Sequence, residues 1–203
     1  MSADAHATLI RSLYEIGAIR FGEFTLKSGI VSPFYIDLRV VISFPEVLEQ
    51  IGTLMAAEVR RCGGERVGGI PYAGLPLAVA TSLAGRVPLI YPRREEKGYG
   101  TRRRIEGQFK PGERVVLIDD IITDGASKLE AIQPLEEAGL VVKDLVILID
   151  REQGGRDLLA ARGYTLHSVL TISRCFDEGE AAGLAPAHLV RQSREFLQAT
   201  RFA

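Results

Sequence analysis

Apolar residues recur at helical spacing in two stretches near the start of the chain. The first spans residues 9–16, where leucine and isoleucine occupy one face of a predicted helix. The second spans residues 47–55 and lies between Pro45 and Gly63, which are typical residues for the start and the end of a helix. Both patterns predict amphipathic helices that pack against a sheet.

Short β-rich runs then alternate with helical patterns. The strand-like runs are "RVGGI", "VPLIYP", "RVVLIDD", "KDLVILID" and "YTLHSVLTI", and the helical ones are "LPLAVATSLAG", "SKLEAIQPLEEAG", "GRDLLAARG" and "APAHLVRQSREFLQATRF". Alternation of this kind is typical of parallel sheets, because a helix returns the chain to the edge where the next strand starts. The pattern therefore predicts an α/β fold with a mainly parallel, twisted sheet flanked by helices.

The stretch "GEFTLKSGIVSPFYIDLRV" has a different pattern, because Gly, Ser and Pro separate its alternating segments. It predicts a hairpin or an irregular hood outside the main sheet. The chain has 203 residues and 46% hydrophobic content, which is enough for one well-buried core. We expect one domain over residues 1–203, with a small N-terminal hood formed largely by about residues 1–42 together with C-terminal elements.

Charge and composition narrow the classes of function. A net charge of -1, from 25 basic and 26 acidic residues, argues against a nucleic-acid partner. The two cysteines, Cys62 and Cys175, have no CxxC spacing, and His6, His167 and His188 have no metal-ligand spacing, so the sequence supports neither a disulfide scaffold nor a zinc site. No signal peptide and no membrane-spanning segment is legible, and we expect a cytoplasmic protein without a membrane partner.

Residues 115–128, "VVLIDDIITDGASK", place two carboxylates directly after a strand-like apolar run. Asp119 and Asp120 would be costly there unless hydroxyl groups, a cation or water received them. In a parallel sheet, the following turn offers unpaired amides and the positive end of a helix dipole. The amides of residues 124–127, with the Thr123 and Ser127 hydroxyls beside them, predict a cradle for one phosphate, and Gly125 allows a close backbone approach.

The carboxylates and the cradle together fit a ribose 5-phosphate, whose hydroxyls would donate to Asp119 and Asp120. No GxxxxGK[ST] or GxGxxG motif follows a predicted strand, which argues against nucleoside triphosphates and dinucleotides. "DG" alone would indicate only a surface turn. The 14-residue string as a whole favours the sugar phosphate.

This string resembles the phosphoribosyl diphosphate (PRPP) motif of the type I phosphoribosyltransferases, in which two acidic residues precede T-x-G-x-[ST]. Further segments resemble the orotate phosphoribosyltransferase family over about residues 21–176: "FTLKSGIVSPFYID", "GGIPYAGLPLA", "YPRREEKGYGT" and "LIDREQGG". The resemblance implies the type I phosphoribosyltransferase fold. It also implies transfer of ribose 5-phosphate from PRPP to N1 of orotate, giving orotidine 5'-monophosphate and diphosphate in pyrimidine (UMP) biosynthesis.

The resemblance also implies which residues bind PRPP. Tyr72 and Ala73, between Pro71 and Gly74, lie in the diphosphate loop. Basic residues of the catalytic loop contact the diphosphate, with Lys97 countering charge on the departing oxygen. The expected PRPP contacts are Tyr72, Ala73, Arg93, Arg94, Lys97, Tyr99, Asp119, Asp120, Ile121, Ile122, Thr123, Asp124, Gly125, Ala126 and Ser127, and the expected catalytic residues are Arg93, Lys97, Asp119 and Asp120. Gly98 departs from the acidic residue usual in the family, and Tyr99 stands where many relatives carry His, which puts proton handling in this loop in question.

Orotate carries a carboxylate, and by resemblance its cationic partners are Lys27 and Arg151. A planar arginine can pair with carboxylate or carbonyl oxygens in a fixed fork. Tyr35 would offer its ring to the pyrimidine, Ile36 would give apolar packing, and Thr123 would complete the orotate contacts. Each of these residues alone would indicate only a surface charge or a packing residue.

The resemblance implies Mg²⁺ as the cofactor, bound mainly through PRPP rather than by a protein cage. It also implies a homodimer in which residues 92–107 reach the neighbouring site. No residues follow Ala203, so we expect no fused decarboxylase, while a separate decarboxylase partner stays possible. Three alternatives remain: a transferase for another base, a non-catalytic PRPP sensor of the same fold, and nucleic-acid binding through Arg102–Arg104, which would require a larger basic surface.

Overall fold

The structure is a computed structural model that describes residues 3–25, 29–93 and 104–202. Its N-terminal part consists of helix α1 (Ala3–Glu15), strands β1 (Ile19–Thr25) and β2 (Val31–Ile36), a 3-10 helix (Leu38–Ser43) and helix α2 (Pro45–Cys62). Strands β1 and β2 pair with each other in an antiparallel two-stranded sheet, separate from the main sheet. This is the hairpin that the Gly, Ser and Pro pattern predicts.

The main sheet contains β3 (Arg66–Gly69), β4 (Leu89–Pro92), β5 (Ile105–Glu106), β6 (Arg114–Ile122), β7 (Val141–Asp150) and β8 (Thr165–Thr171). Within the described residues, the strand order is β5-β4-β3-β6-β7-β8. All neighbouring strands are parallel except β4 and β5. The α/β prediction is confirmed.

Helices cover both faces of this sheet. Helix α2 packs on one of these faces, and the remaining helices are α3 (Gly74–Gly85), α4 (Ala126–Glu137), α5 (Gly155–Ala161), α6 (Ile172–Ala181) and α7 (Ala187–Ala199), the last of which packs against β2. One core contains buried residues of α1, α2 and the hairpin, such as Leu13, Met55 and Phe34. The other contains residues of α4 and α5, such as Leu135 and Leu159. Each fully buried side chain of this kind contributes about 1.5–3 kcal/mol, so the two cores fix the strand ends that carry the site.

The start and end of α2 follow the sequence signals, with Pro45 in the first turn and Gly63 at a φ of 65° after the last. Helix α6 was not predicted, although Ile172, Cys175 and Phe176 are buried at helical spacing. Gly179 interrupts that pattern because an added Cβ would lie 2.6 Å from the Tyr14 ring, so only glycine lets α6 approach α1 this closely.

The parallel register brings the carboxyl ends of three strands to one edge of the sheet. Gly69 of β3 pairs with Ile118 of β6, and Ile122 of β6 pairs with Asp150 of β7. The turns after these strands are therefore neighbours, which is where open α/β sheets bind ligands. None of the helices in the described ranges is long and apolar enough to cross a membrane.

Candidate active site

The turn after β6 presents open backbone donors at the start of α4. Gly125 has a φ of 87° and precedes the first residue of the helix. Asp124 Oδ1 accepts a hydrogen bond from the amide of Ala126 (3.1 Å). In the described part of the chain, the amides of Asp124, Gly125 and Ser127 have no acceptor. These donors, at the positive end of α4, form a site suited to an anion.

Asp119 is neutralised by a lysine that the sequence interpretation missed. Asp119 is 5% exposed and Lys128 is 6% exposed. Lys128 Nζ donates to Asp119 Oδ2 at 2.5 Å, and Asp119 Oδ1 accepts from the amide of Asp120 (2.9 Å). Helical side chains lean toward the N-terminus, so a lysine in the first turn of α4 can reach back to the strand end. The position of Lys128 in the first turn of the predicted helix was therefore the sequence signal that could have indicated this ion pair.

Asp120 has a different environment from its neighbour. Burial, followed by the negative charge of Asp119, raises the pKa of Asp120 to about 7, although Lys128 offsets part of the rise. Asp120 Oδ1 accepts a hydrogen bond from the amide of Ile121 (2.8 Å). The Asp120 carboxyl therefore titrates near neutral pH, and its acceptor strength depends on pH in the range where enzymes work.

The turn between β3 and α3 faces the same strand end. It contains a cis peptide bond between Pro71 and Tyr72, and the Tyr72 side chain is 62% exposed. A Cβ added to Gly74 would lie 2.7 Å from the carbonyl oxygen of Ile118 and 2.8 Å from Asp119 Oδ1. Glycine therefore lets the start of α3 pack directly against the carboxylate, which Lys128 in the first turn of α4 also contacts.

Arg93 is engaged with another protein residue. It follows β4, and its Nη2 forms an ion pair with Glu106 Oε1 of β5. Its amide donates to the carbonyl oxygen of Arg104 (2.8 Å). The other predicted residues of this segment, Arg94, Lys97, Gly98 and Tyr99, lie outside the described residues, as does Lys27.

Arg151 follows β7, beside the end of β6. Its amide donates to the carbonyl oxygen of Ile122 (3.0 Å), and its guanidinium carbon lies 5.3 Å from the centroid of the Phe34 ring. The buried Nε has no hydrogen-bond partner within the described ranges. Burial lowers the pKa of Arg151, but a guanidinium stays charged at any working pH. The side chain is thus a cation without a protein counterion among the residues described.

The hairpin separates Tyr35 from Arg151. The Tyr35 ring stacks on Phe24 at a centroid distance of 5.4 Å, and Arg39 Nη2 donates to the Tyr35 hydroxyl (3.3 Å). Consecutive strand residues point to opposite faces, so Phe34 and not Tyr35 lies under Arg151. The sequence interpretation missed Phe34, although its place next to Tyr35 in a period-2 strand was a usable signal. Ile36 packs at the margin of the core, and the orotate contacts of Tyr35 and Ile36 stay predictions.

The C-terminal residues pack against the loop that carries Arg151. Gln153 Nε2 donates to Thr200 Oγ1 (2.8 Å), and the amide of Phe202 donates to the carbonyl oxygen of Gln153 (3.0 Å). Gly154 has a φ of 108°, and an added Cβ would lie 2.6 Å from the carbonyl oxygen of Phe202. The position of Arg151 therefore depends on contacts made far away in the sequence.

Two curated proteins illustrate the sequence similarity of this chain, whereas no protein-family model matches it. Uridine 5'-monophosphate synthase of Bos taurus is 42% identical over 197 residues, which cover 96% of this chain and 41% of that protein. Orotate phosphoribosyltransferase of Thermococcus gammatolerans is 37% identical over 179 residues, which cover 87% of this chain and 95% of that protein. The chain thus spans about two fifths of the bovine protein and nearly the whole of the archaeal one.

Solved structures agree with this similarity. The UMP synthase of Leishmania donovani matches with a TM-score of 0.88 and 38% identity, over 96% of this chain and 42% of that chain. The orotate phosphoribosyltransferase of Mycobacterium tuberculosis in complex with PRPP matches with a TM-score of 0.70 and 27% identity, over 84% and 98% of the two chains. By its fold and by its identity to relatives that it covers almost completely, the chain belongs to the orotate phosphoribosyltransferase family.

Proposed function

We propose that the protein transfers ribose 5-phosphate from PRPP to N1 of orotate, giving orotidine 5'-monophosphate and diphosphate for pyrimidine biosynthesis. One observation carries the proposal. An anion cradle with adjacent carboxylates lies beside Arg151, a cation without a described counterion, and the backbones of Ile122 and Arg151 are joined by a hydrogen bond. A ribose 5-phosphate on the first feature would present its C1 toward a carboxylate-bearing base on the second.

The turn after β6 would bind the sugar phosphate. The amides of Asp124, Gly125 and Ser127, with the hydroxyls of Thr123 and Ser127, donate to the 5-phosphate, while Ile121, Ile122 and Ala126 form the backbone of the cradle. Ribose hydroxyls donate to Asp120 in its ionised form. Lys128 holds Asp119 in place, and the negative charge of the carboxylate pair stabilises a ribose ring that becomes cationic in the transition state.

The diphosphate would leave toward the start of α3. The amides of Ala73 and Gly74 have no acceptor in the described part of the chain and can receive its oxygens, beside Tyr72. Arg93 would reach the diphosphate by giving up its ion pair with Glu106. Arg94, Lys97 and Tyr99 add positive charge and hydrogen bonds, with Lys97 countering the charge on the departing oxygen. This charge is needed mainly in the transition state.

Mg²⁺ is proposed to enter with PRPP. Asp119 is already paired with Lys128, so this carboxylate is closed to a metal, and the diphosphate and ribose oxygens are the better ligands. When bound, Mg²⁺ supplies positive charge to the leaving group. The protein's own residues orient the ribose and exclude water around it.

Arg151 would bind the carboxylate of orotate from the base side. Its uncompensated charge favours an anionic base over adenine, guanine or uracil. Lys27, Tyr35, Ile36 and Thr123 would complete the base site. The side chain of Tyr35 is already engaged by Phe24 and Arg39. The backbone of β2 at Tyr35 is therefore a more direct contact to the pyrimidine ring than the tyrosine side chain.

We also propose a homodimer in which residues 92–107 of one subunit reach the site of the other. Exposed apolar side chains on α3, together with Ile42 and Phe44 just before α2, support self-association, since patches of this kind mark interaction surfaces. Leu83, for example, is 76% exposed, and a groove beside it is lined by Leu48, Pro76 and Val79. A single domain over residues 1–203, with the hood as its smaller part, and a cytoplasmic location complete the proposal.

One assay tests the reaction. Orotate absorbance is followed with PRPP and Mg²⁺, and adenine, guanine, hypoxanthine and uracil serve as competing bases. Orotate-specific turnover is expected. Turnover of another base would assign a different transferase, and PRPP binding without turnover of any base would indicate a sensor. Sedimentation of the same sample, with Leu83→Glu as the interface variant, tests the dimer.

A further inference from the structure

A cluster of three different potential metal ligands lies at the edge of the sheet opposite the candidate active site. Cys62 ends α2, Asp144 lies near the start of β7, and His167 lies near the start of β8. One ligand atom from each residue lies within 4.8 Å of the other two. Asp144 is six residues before Asp150, which places the cluster about 20 Å along the strand from the catalytic edge.

The geometry points to a binding site for a thiophilic divalent cation such as Zn²⁺, ligated by Cys62 Sγ, Asp144 Oδ1 and His167 Nε2. This combination of thiolate, carboxylate and imidazole is one that zinc accepts. Three protein ligands leave a fourth position of a tetrahedron for water or an added ligand. The site would be separate from the Mg²⁺ that accompanies PRPP.

Each ligand is held by a rigid element. His167 Nε2 and Asp144 Oδ1 are 2.8 Å apart and lie on neighbouring parallel strands, on the face that α2 covers. Cys62 is held at the end of a helix that is closed by Gly63. A cation between these atoms would replace the hydrogen bond of His167 and requires only a small separation of the two side chains.

Arg114 supports the cluster from its outer side. Its Nη2 donates to the carbonyl oxygen of Cys62 (2.9 Å) and to Asp144 Oδ2 (3.4 Å). Oδ2 is the oxygen of Asp144 that does not face His167, so the guanidinium can orient the carboxylate while Oδ1 binds the cation. Metal-ligating carboxylates commonly have such a hydrogen-bonded partner behind them.

The donor set also selects the type of metal. Ligation requires Cys62 as a thiolate, so the cation must displace the thiol proton, which zinc-like ions do and Mg²⁺ does not. The sequence could not indicate this site because its residues belong to three separate elements and show no short spacing.

Metal binding to the full chain tests the proposal. Chelator-treated protein is titrated with Zn²⁺ in competition with a chromophoric chelator, and with Co²⁺ to observe a thiolate-to-metal charge-transfer band. We expect one ion per chain, a thiolate band, and affinity lowered at least about tenfold in Cys62→Ser and His167→Ala. His188→Ala, an exposed histidine on α7, and Cys175→Ser, a cysteine outside the cluster, are the matched controls and should bind normally.

The variants remain informative because the cluster is remote from the reaction. Orotate turnover and thermal unfolding of the metal-free variants show whether they are folded. The proposal would be overturned if zinc did not bind, if the cobalt form lacked the thiolate band, or if zinc binding persisted in both ligand variants. If Cys62→Ser fails to fold, Cys62 is alkylated in the wild-type protein instead. Loss of the thiolate band on alkylation, with binding retained in His188→Ala, would then support the site, and a band that persists would overturn it.

Discussion

The two sides of the candidate site balance their buried charges in different ways. On the phosphate side, Asp119 has its counterion, Lys128, in the helix that follows the strand. On the base side, Arg151 has an aromatic ring beneath it and a buried Nε without a described partner. The buried charge of Asp119 is therefore balanced before any ligand binds, whereas under the proposed function the charge of Arg151 would be balanced by the ligand. Stability should depend on the first pair, and substrate selection on the second residue.

The largest effect is expected from breaking the pair on the phosphate side. Lys128→Met leaves the carboxylate of Asp119 buried and unpaired, which should lower the free energy of unfolding by about 3–5 kcal/mol. Denaturant unfolding measures this. The exposed Lys110→Met should change stability by less than about 0.5 kcal/mol. Adding Asp119→Asn to Lys128→Met should recover part of the loss, and no recovery would mean that the lysine acts through packing rather than charge.

Removing the charge on the base side should act on turnover instead. Arg151→Met keeps a side chain over Phe34 and leaves no protein carboxylate unpaired, so we expect stability within about 1 kcal/mol of wild type. The value of kcat/KM for orotate should fall by a factor of about 100 to 1000, because the orotate carboxylate loses a buried partner. Steady-state kinetics and unfolding together measure both effects.

Arg156, five residues further along the chain, is the matched contrast. Its guanidinium donates to the buried Asp150 at 3.1 and 3.2 Å, so Arg156→Met should lower stability by about 1–3 kcal/mol. If Arg151→Met were the more destabilising of the two, the contrast between internal and ligand-supplied charge balance would fail.

The pH dependence of Asp120 sharpens the comparison further. Its pKa of about 7 in the folded protein lies above the unfolded value near 4, so folding takes up a proton between these limits. Stability contributed by this group is present below about pH 4 and is lost as pH rises through about 7. Asp120→Asn abolishes this dependence, so relative to wild type the variant should gain on the order of 1–3 kcal/mol between about pH 5 and 8.

Activity should show the opposite trend in the wild-type protein. Ribose hydroxyls need an ionised acceptor, so kcat/KM for PRPP should rise with pH through about 7, and Asp120→Asn should have low activity without that rise. Thermal unfolding and kinetics over the same pH series test both trends. A variant that keeps the wild-type pH profile would remove Asp120 from this role.

The smallest effect is expected at the rim of the site. Glu106→Gln removes the ion-pair partner of Arg93 and should lower KM for PRPP by up to about fivefold, because an accessible pair contributes at most about 1 kcal/mol. Glu137→Gln, which breaks the nearby Arg104 pair instead, is the control. An increase in KM would show that Glu106 positions Arg93 rather than competes for it.

Periodicity and turn chemistry were enough to predict much of the fold. The strand at residues 114–122, the turn into α4 and the boundaries of α2 all have local signals that the structure retains. Phosphate cradles are local too, since one strand, one turn and one helix start supply all of their donors. The string at residues 115–128 therefore indicated a type I phosphoribosyltransferase from a single segment, whereas the resemblance to the orotate family required further segments.

The partner of a buried charge, and the face of a strand that packs toward the core, could not be predicted in the same way. Lys128 looked like an ordinary helix residue because its burial depends on how α4 packs on β6. Which aromatic residue lies below Arg151 depends on which face of β2 packs toward the core. Shifting the register of β2 by one residue would place Tyr35 there instead of Phe34. Contacts of this kind are tertiary: position along the chain makes Lys128 and Phe34 candidates, but only the packing of α4 and β2 selects them.

The pairing of β4 with β5 has a consequence for engineering. The hydrogen bond between the Arg93 amide and the Arg104 carbonyl oxygen brings both ends of the intervening segment to a single point of the scaffold. An insert grafted between these two residues would begin and end at neighbouring points of the scaffold, and doubling its length would add only about 0.6 kcal/mol of closure entropy. Segments of different length from related enzymes could thus be exchanged at this junction, which would let loop chemistry be varied while the ribose and base sites are kept constant.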